Sequence, residues 1–307
     1  MTYDFKNFKP MLLSNDEYNL EDVDYTDMVI SPKHDGVRIE LTKDGLYGRS
    51  LKRIPNTSLQ EYFSEVIEEL PKDIIIECEL WHPSMACREL AGLCNRKESD
   101  IPEGTRLMAF DMVILPLDKS ITWDDRHTAL LNTVYDINLP LIDVIDHYSC
   151  GSITHAKERY QEFIDAGYEG AVMNRTTSPY KQGRVTIRQG YAYKMKPHQE
   201  DDLEIIGVTE RMENTNESQT NELGRSFKRN TKEDKQPLGI AAAFICRLEN
   251  NEECKVTIHG DEDFRRGVWN NRDSYIGKYA VVKSMAYGAK TKLRHPRLLS
   301  IKESIEK

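Results

Sequence analysis

A chain of 307 residues has the length of about two domains, and 39% hydrophobic residues suit a folded protein with real cores. Its formal net charge of -9 at pH 7 excludes a uniformly basic surface, so any grip on nucleic acid has to rest on locally concentrated cations. No apolar run is long enough to span a bilayer, and Met1-Thr2-Tyr3-Asp4-Phe5-Lys6 lacks the regions of a signal peptide, so a cytoplasmic location is expected. Cys78, Cys87, Cys94, Cys150, Cys246 and Cys254 form no CxxC pair, and they are expected as free, mostly buried thiols rather than as zinc ligands.

Residues 1 to 25 are polar with scattered apolar positions and are expected to pack along the first domain. Met28-Val29-Ile30 is a short apolar run, and Val37-Arg38-Ile39-Glu40-Leu41 alternates, which predicts a hairpin with Lys33 in the tight connection. Asp44-Gly45 predicts a second turn. Leu59, Tyr62, Phe63, Val66, Ile67 and Leu70 form a helical stripe, capped by Thr57 or Ser58 and ended by Pro71. Ile74 to Leu80 and Leu107 to Val113 read as buried strands, Met85 to Arg96, Asp125 to Val134 and Thr154 to Ala166 as helices, and Gly167 as a helix stop. Gly170 to Met173 and Tyr191 to Lys196 are further strands. The composition changes after Glu200. A strand at Leu203 to Val208 is followed by an almost wholly polar stretch, residues 211 to 237, expected as a long loop. Arg225, Lys228, Arg229, Lys232 and Lys235 concentrate in its second half, as a clamp closing on duplex phosphates would require. Short strands return at Ala241 to Arg247, Lys255 to Ile258, Tyr279 to Lys283 and Leu298 to Ile301, an all-β tail the size of a five-stranded barrel of the OB type.

Charged residues interrupt the apolar strands of the first two hundred residues at Lys33 with Arg38, Arg49, Glu79, Glu169, and Lys194 with Lys196. Strand alternation puts Lys194 and Lys196 on one face. Each alone has a plain structural reading as a turn, an edge charge or a solvated face. Together they are one amine nucleophile, two metal-type carboxylates and several phosphate-type cations, the inventory needed to attack a nucleoside triphosphate.

Here a resemblance enters. Lys33-His34-Asp35-Gly36-Val37-Arg38 resembles the KxDGxR motif of covalent nucleotidyltransferases, and Glu77-Cys78-Glu79-Leu80 resembles their DGEL-type strand. Phe110-Asp111 resembles the strand whose aromatic ring stacks on the base, Glu169-Gly170-Ala171-Val172 the EGxxxK motif, and Lys194-Met195-Lys196 the paired-lysine strand. Leu293-Arg294-His295-Pro296-Arg297-Leu298 is similar to the C-terminal OB-domain motif. Six motifs in this order are similar to the small phage-type ATP-dependent DNA ligases. Three positions depart from the pattern: Ser31 stands where many such ligases have a base-reading glutamate, Glu77-Cys78 where Asp-Gly is usual, and Asn174 where the EGxxxK motif has lysine.

The resemblance implies an α+β fold: an adenylation domain of antiparallel sheets flanked by helices at 1–200, and an OB-fold barrel at 201–307. It implies that Lys33 is the nucleophile. Ser31, Pro32, His34, Arg38, Arg49, Glu79, Phe110, Arg184, Lys194 and Lys196 would bind ATP, with Glu79 and Glu169 on Mg²⁺ or Mn²⁺. Arg265, Lys290, Lys292, Arg294 and Arg297 would hold DNA. It further implies nicked duplex DNA as partner and a monomer. A free lysine has a pKa of roughly 10.4, and Lys194, Arg38 and a bound metal are expected to lower that of Lys33. The competing enzyme readings are an RNA ligase or an mRNA-capping-type nucleotidyltransferase, which share the lysine chemistry. The non-enzymatic one is an OB-type nucleic-acid-binding protein.

Overall fold

The segment around Lys33 folds differently from the hairpin expected there. The computed structural model describes residues 8–136, 139–215, 219–220, 226–227, 235–285 and 293–304. In it Met28–Lys33 and Val37–Thr42 are both strands but do not pair. Met28–Lys33 lies in an antiparallel sheet between Gly170–Arg175 and Tyr148–Ser149, with Ala192–Met195 outside Gly170–Arg175. Val37–Thr42 lies in a five-stranded sheet ordered Gly45–Gly48, Val37–Thr42, Ile74–Trp81, Arg106–Ile114 and Ile142–Val144, antiparallel except for the last pair. The reason is burial: Ile30 and Ile39 are both fully buried, but in different cores. Gly36 makes the crossing possible, because a Cβ there would lie 2.3 Å from the Leu80 carbonyl oxygen. The second turn forms as expected, with Gly45 at φ 125° joining Val37–Thr42 to Gly45–Gly48.

The Leu59–Leu70 stripe makes two short helices, Thr57–Tyr62 and Ser64–Glu69, rather than one. The cap is Asn56, not Thr57 or Ser58: its side chain accepts from the Leu59 amide. Leu59, Phe63, Val66 and Leu70 cover the five-stranded sheet, joined by Leu90 and Leu93 of the helix Cys87–Asn95 and Leu130 and Val134 of the helix Trp123–Asp136. The helix Ile153–Asp165 packs Ala156 and Phe163 on the other sheet, and Gly167, at φ 87°, follows its end. Phe8, Met11 and Tyr180 share a smaller core with Ile75 and Val113, so the N-terminal stretch packs on this part of the chain.

The chain divides into two compact units, Met1–Lys196 and Pro197–Lys307. The second is a closed barrel with strand order His198–Asn214, Lys235–Arg247, Glu253–Thr257, Arg294–Lys302 and Tyr279–Met285. The tail is not all β. Glu262–Asn270 is a helix capped by Asp261, and it buries Val268 in the barrel core. Nor is the stretch 211–237 all loop: its ends extend two barrel strands, with Asn214 opposite Lys235. The rest of the expected clamp (216–218, 221–225 and 228–234), with Arg225, Lys228, Arg229 and Lys232, lies outside the described residues. All six cysteines are free thiols, five of them buried. No helix among the described residues is long and apolar enough to cross a membrane.

Candidate active site

Lys33 is the last residue of its strand, and its main chain is held there by the Glu169 amide, which donates to the Lys33 carbonyl at 2.9 Å. The side chains meet as well: Lys33 Nζ lies 2.5 Å from Glu169 Oε2, while Lys196 pairs with Glu169 Oε1. Gly170 lets these segments close, since a Cβ on it would stand 2.1 Å from the Met195 carbonyl oxygen. Lys194, in the strand Ala192–Met195, and Lys196, one residue past its end, both border one cavity, the common side that alternation gives them. Lys194 donates to Asn15 Oδ1 at 2.7 Å.

The cavity, of about 430 Å³, lies within the first unit. Ser31, Pro32, Lys33, His34 and Arg38 border it, as do Arg49, Glu79, Phe110, Arg184, Lys194 and Lys196. Every residue expected to bind the nucleotide is thus gathered at one concavity, and Glu169 joins them through Lys33 and Lys196. Of the residues expected on DNA, Arg265 donates through Nε to the Ala241 carbonyl at 2.9 Å. Arg297 stands in its strand opposite Thr257 and Lys283. Lys290, Lys292 and the side chain of Arg294 lie outside the described residues.

The electrostatics correct one expectation. Burial works against the charge of Lys33, but Glu169 and Glu79 outweigh it, and the pKa stands above the ordinary lysine value rather than below it. The cations expected to lower it are engaged elsewhere. Arg38 donates to Glu40 at 2.8 Å, Glu77 at 2.5 Å and the Met11 carbonyl at 2.7 Å. Glu169, although burial opposes its charge, is held below the usual carboxylate range by Lys33 and Lys196. Burial pushes Glu79 up to about 7 against the pull of Lys33 and Arg38, and pushes His34 down to about 4.

A second ionic network was not legible in the sequence. Glu40 stands opposite Glu77, and Glu77 opposite Asp111, so three carboxylates sit side by side across three strands. Arg38 bridges the first two, Tyr180 Oη donates to Glu77 at 2.5 Å, and Arg126 grips Asp111 at 2.8 and 3.0 Å. Burial pushes Glu77 up to about 8. Each carboxylate alone reads as an interruption of an apolar strand; the signal is their alignment, which exists only once the register is known. The sequence also did not point to Asn15 or Trp123 as lining residues.

Carboxylate oxygens are the protein donors that hard cations such as Mg²⁺ and Mn²⁺ take, usually with phosphate oxygens and water completing the shell. Glu79 and Glu169 present such oxygens around Lys33, and both act on its charge. This donor set fits the metal.

The family model described as the ATP dependent DNA ligase domain matches residues 10–196. The chain belongs to this family. The matched span is the part of this ligase-family chain that holds Lys33 and the cavity. The DNA ligase of African swine fever virus (strain Badajoz 1971 Vero-adapted) is 20% identical over 193 residues, 60% of this chain and 45% of the viral protein. The chain therefore spans about half the length of the curated relatives it matches. Among solved structures, a Lig E DNA ligase superposes with TM-score 0.72 at 17% identity, covering 96% of this chain and 99% of the other. The Chlorella virus DNA ligase-adenylate superposes with TM-score 0.53 at 21% identity, covering 97% and 99%. The ATP-dependent DNA ligase of bacteriophage T7 gives 0.51 at 16%, covering 96% and 98%. These likenesses establish the fold: a nucleotidyltransferase unit followed by an OB-type barrel.

Proposed function

We propose that the chain is an ATP-dependent DNA ligase that seals 5′-phosphate/3′-hydroxyl nicks in duplex DNA as a monomer. The observation that carries this reading is Lys33, an amine 2.5 Å from Glu169, at a cavity that also presents Lys194, Lys196 and the ring of Phe110. Lys33 Nζ attacks the α-phosphorus of ATP. An N–P bond forms, the bond to the bridging oxygen breaks, pyrophosphate leaves, and the nitrogen gives up its protons beyond one to solvent. The 5′-phosphate at the nick then attacks the AMP phosphorus and the N–P bond breaks, returning Lys33 to the amine. Finally the 3′-hydroxyl, losing its proton, attacks the 5′-phosphorus and AMP leaves.

Lys194, Lys196 and Arg184 are assigned to the α-phosphate, where negative charge develops. Phe110 stacks on the base, while Ser31, Pro32, His34, Arg38 and Arg49 shape the pocket around the nucleotide. Glu79 and Glu169 would hold Mg²⁺ or Mn²⁺, which when bound offsets the triphosphate charge. Glu169 turned away from Lys33 no longer stabilises the ammonium, so the amine's pKa falls toward the range in which it attacks. Residues 1–200 are read as the adenylation domain and 201–307 as an OB domain whose Arg265, Lys290, Lys292, Arg294 and Arg297 hold duplex phosphates without reading sequence.

The test is intact mass spectrometry of the purified chain with Mg²⁺ and ATP or GTP, followed by a chase with nicked DNA or nicked RNA. One AMP should appear on the wild type, be absent from Lys33→Ala, and discharge on nicked DNA with sealing. Labelling by GTP alone would support a capping-type enzyme, preferential sealing of RNA an RNA ligase, and no adduct a non-catalytic binder.

A further inference from the structure

The cavity is bordered by charged residues and by apolar and aromatic ones. Lys33 stands opposite Gly170 in the strand register. Four residues further along the same pair of strands, Val29 stands opposite Asn174. At roughly 3.3 Å per residue that is about 13 Å, the order of an extended nucleoside monophosphate. Trp123, Ile145 and Val172 border the same cavity. The Trp123 and Asp124 amides donate to the carbonyls of Ser178 and Thr176, which pins the start of that helix just beyond Asn174.

Asn174 is a polar lining side chain left unspent by the described residues. Its main chain is fixed on both sides, by Val29 and by Ala192. Alternation puts it on the face of Val172, and it borders the cavity. Its side-chain amide has no hydrogen-bond partner among the described residues. By contrast Asn15 is taken by Lys194, Asp111 by Arg126, and the Ser31 hydroxyl leans on the Val172 carbonyl at 3.4 Å. A carboxamide carries an acceptor and a donor side by side, and adenine carries the complement, its 6-amino group beside the acceptor N1.

Resting on the nucleotidyl-transfer reading above, we propose that Asn174 reads the adenine edge: Oδ1 accepts from the 6-amino group and Nδ2 donates to N1. The phosphates are then anchored by cations at one end of the cavity and the base by a neutral amide at the other. The contact is made alike in the bound nucleotide and in the transition state. Its loss therefore raises the half-saturating ATP concentration and leaves the maximal rate of Lys33 labelling in place.

The experiment measures Lys33 labelling by intact mass with ATP, with 1-deaza-ATP, which lacks the N1 acceptor, and with purine riboside triphosphate, which lacks the 6-amino group. The wild type should prefer ATP over either analogue by about tenfold in half-saturating concentration, the scale of one buried hydrogen bond. Asn174→Ala should lose about a hundredfold on ATP, two bonds at about tenfold each, and about tenfold on each analogue, which keeps one bond, so its preference collapses. Asn174→Asp, which accepts but does not donate, should keep the preference over purine riboside triphosphate and lose that over 1-deaza-ATP. The wild-type analogue series needs no variant to fold. An Asn174→Ala chain that labels with the wild-type preference, or a wild type indifferent to both analogues, overturns the assignment alone. A wild type that takes no adduct from any of the three overturns the nucleotidyl-transfer reading, and this proposal with it.

Discussion

Two ionic clusters border the same cavity and are built for opposite purposes. At the first, Lys33, Glu169 and Lys196 are each 11–21% exposed, and one carboxylate is shared by two ammonium groups. Long side chains with access to solvent can exchange partners at modest cost, as the proposed role of Lys33 as a nucleophile that surrenders its charge requires. At the second, Glu40 and Glu77 are at most 1% exposed and lean on the single guanidinium of Arg38. The second Glu40 oxygen has no hydrogen-bond partner among the described residues. That cluster has nowhere to move, because breaking a buried pair leaves an uncompensated charge in a poor solvent. Proximity to the cavity does not by itself mark a reacting group. Exchangeability does, and it follows from exposure and from the ratio of cations to carboxylates.

The two clusters should part most visibly at Lys33. Lys33→Ala should cut self-adenylation by roughly a millionfold, to the detection limit, since loss of a nucleophile is rarely compensated. Its urea midpoint should stay near that of the wild type; an AMP adduct on the variant would remove Lys33 from the chemistry. Next in size, Arg38→Met leaves Glu40 and Glu77 unpaired and should cost about 3–5 kcal/mol of stability in urea unfolding at pH 7. An unchanged midpoint would mean that the inner cluster is not held by Arg38.

Glu79 sharpens the distinction, because stability and activity should separate there. Its folded pKa, about 7, lies above its ordinary value of 4.5. Between those values the folded chain keeps a proton that the unfolded chain has released, so stability falls as pH rises through that window. Glu79→Gln stays neutral and escapes this loss. It should unfold at higher urea than the wild type at pH 8, by about 1–3 kcal/mol, with the gap closing toward pH 4.5. It should nevertheless adenylate poorly, and a gap independent of pH would show that the carboxyl is not the group titrating. The smallest effect concerns Lys33 itself. With its pKa raised by Glu169 and Glu79, the amine is protonated throughout the neutral range. Single-turnover adenylation at subsaturating ATP should climb with pH from 6 to 8, by up to about tenfold per unit. A flat profile would place proton loss after the slow step.

What the amino-acid sequence by itself determined is local. The Asp44-Gly45 turn, the shared face of Lys194 and Lys196, and the helical stripe from Leu59 to Leu70 each follow from a period or a turn chemistry written within a few residues. The same holds for the order of the charged motifs along the chain. Tertiary structure alone decided which strands pair. Ile30 and Ile39 are equally apolar, and only their burial in separate cores sends the chain into a new sheet at Gly36. Register then aligned Glu40, Glu77 and Asp111, whose positions are far apart in sequence. It also gave Arg38 two buried carboxylate partners, and gave Lys33 a carboxylate partner that raises its pKa. In the tail, strand periodicity missed the helix Glu262–Asn270, whose first turn is mostly polar and whose single buried residue is Val268. A side chain's type is local, but its charge state and its partners depend on neighbours that packing supplies from distant parts of the chain.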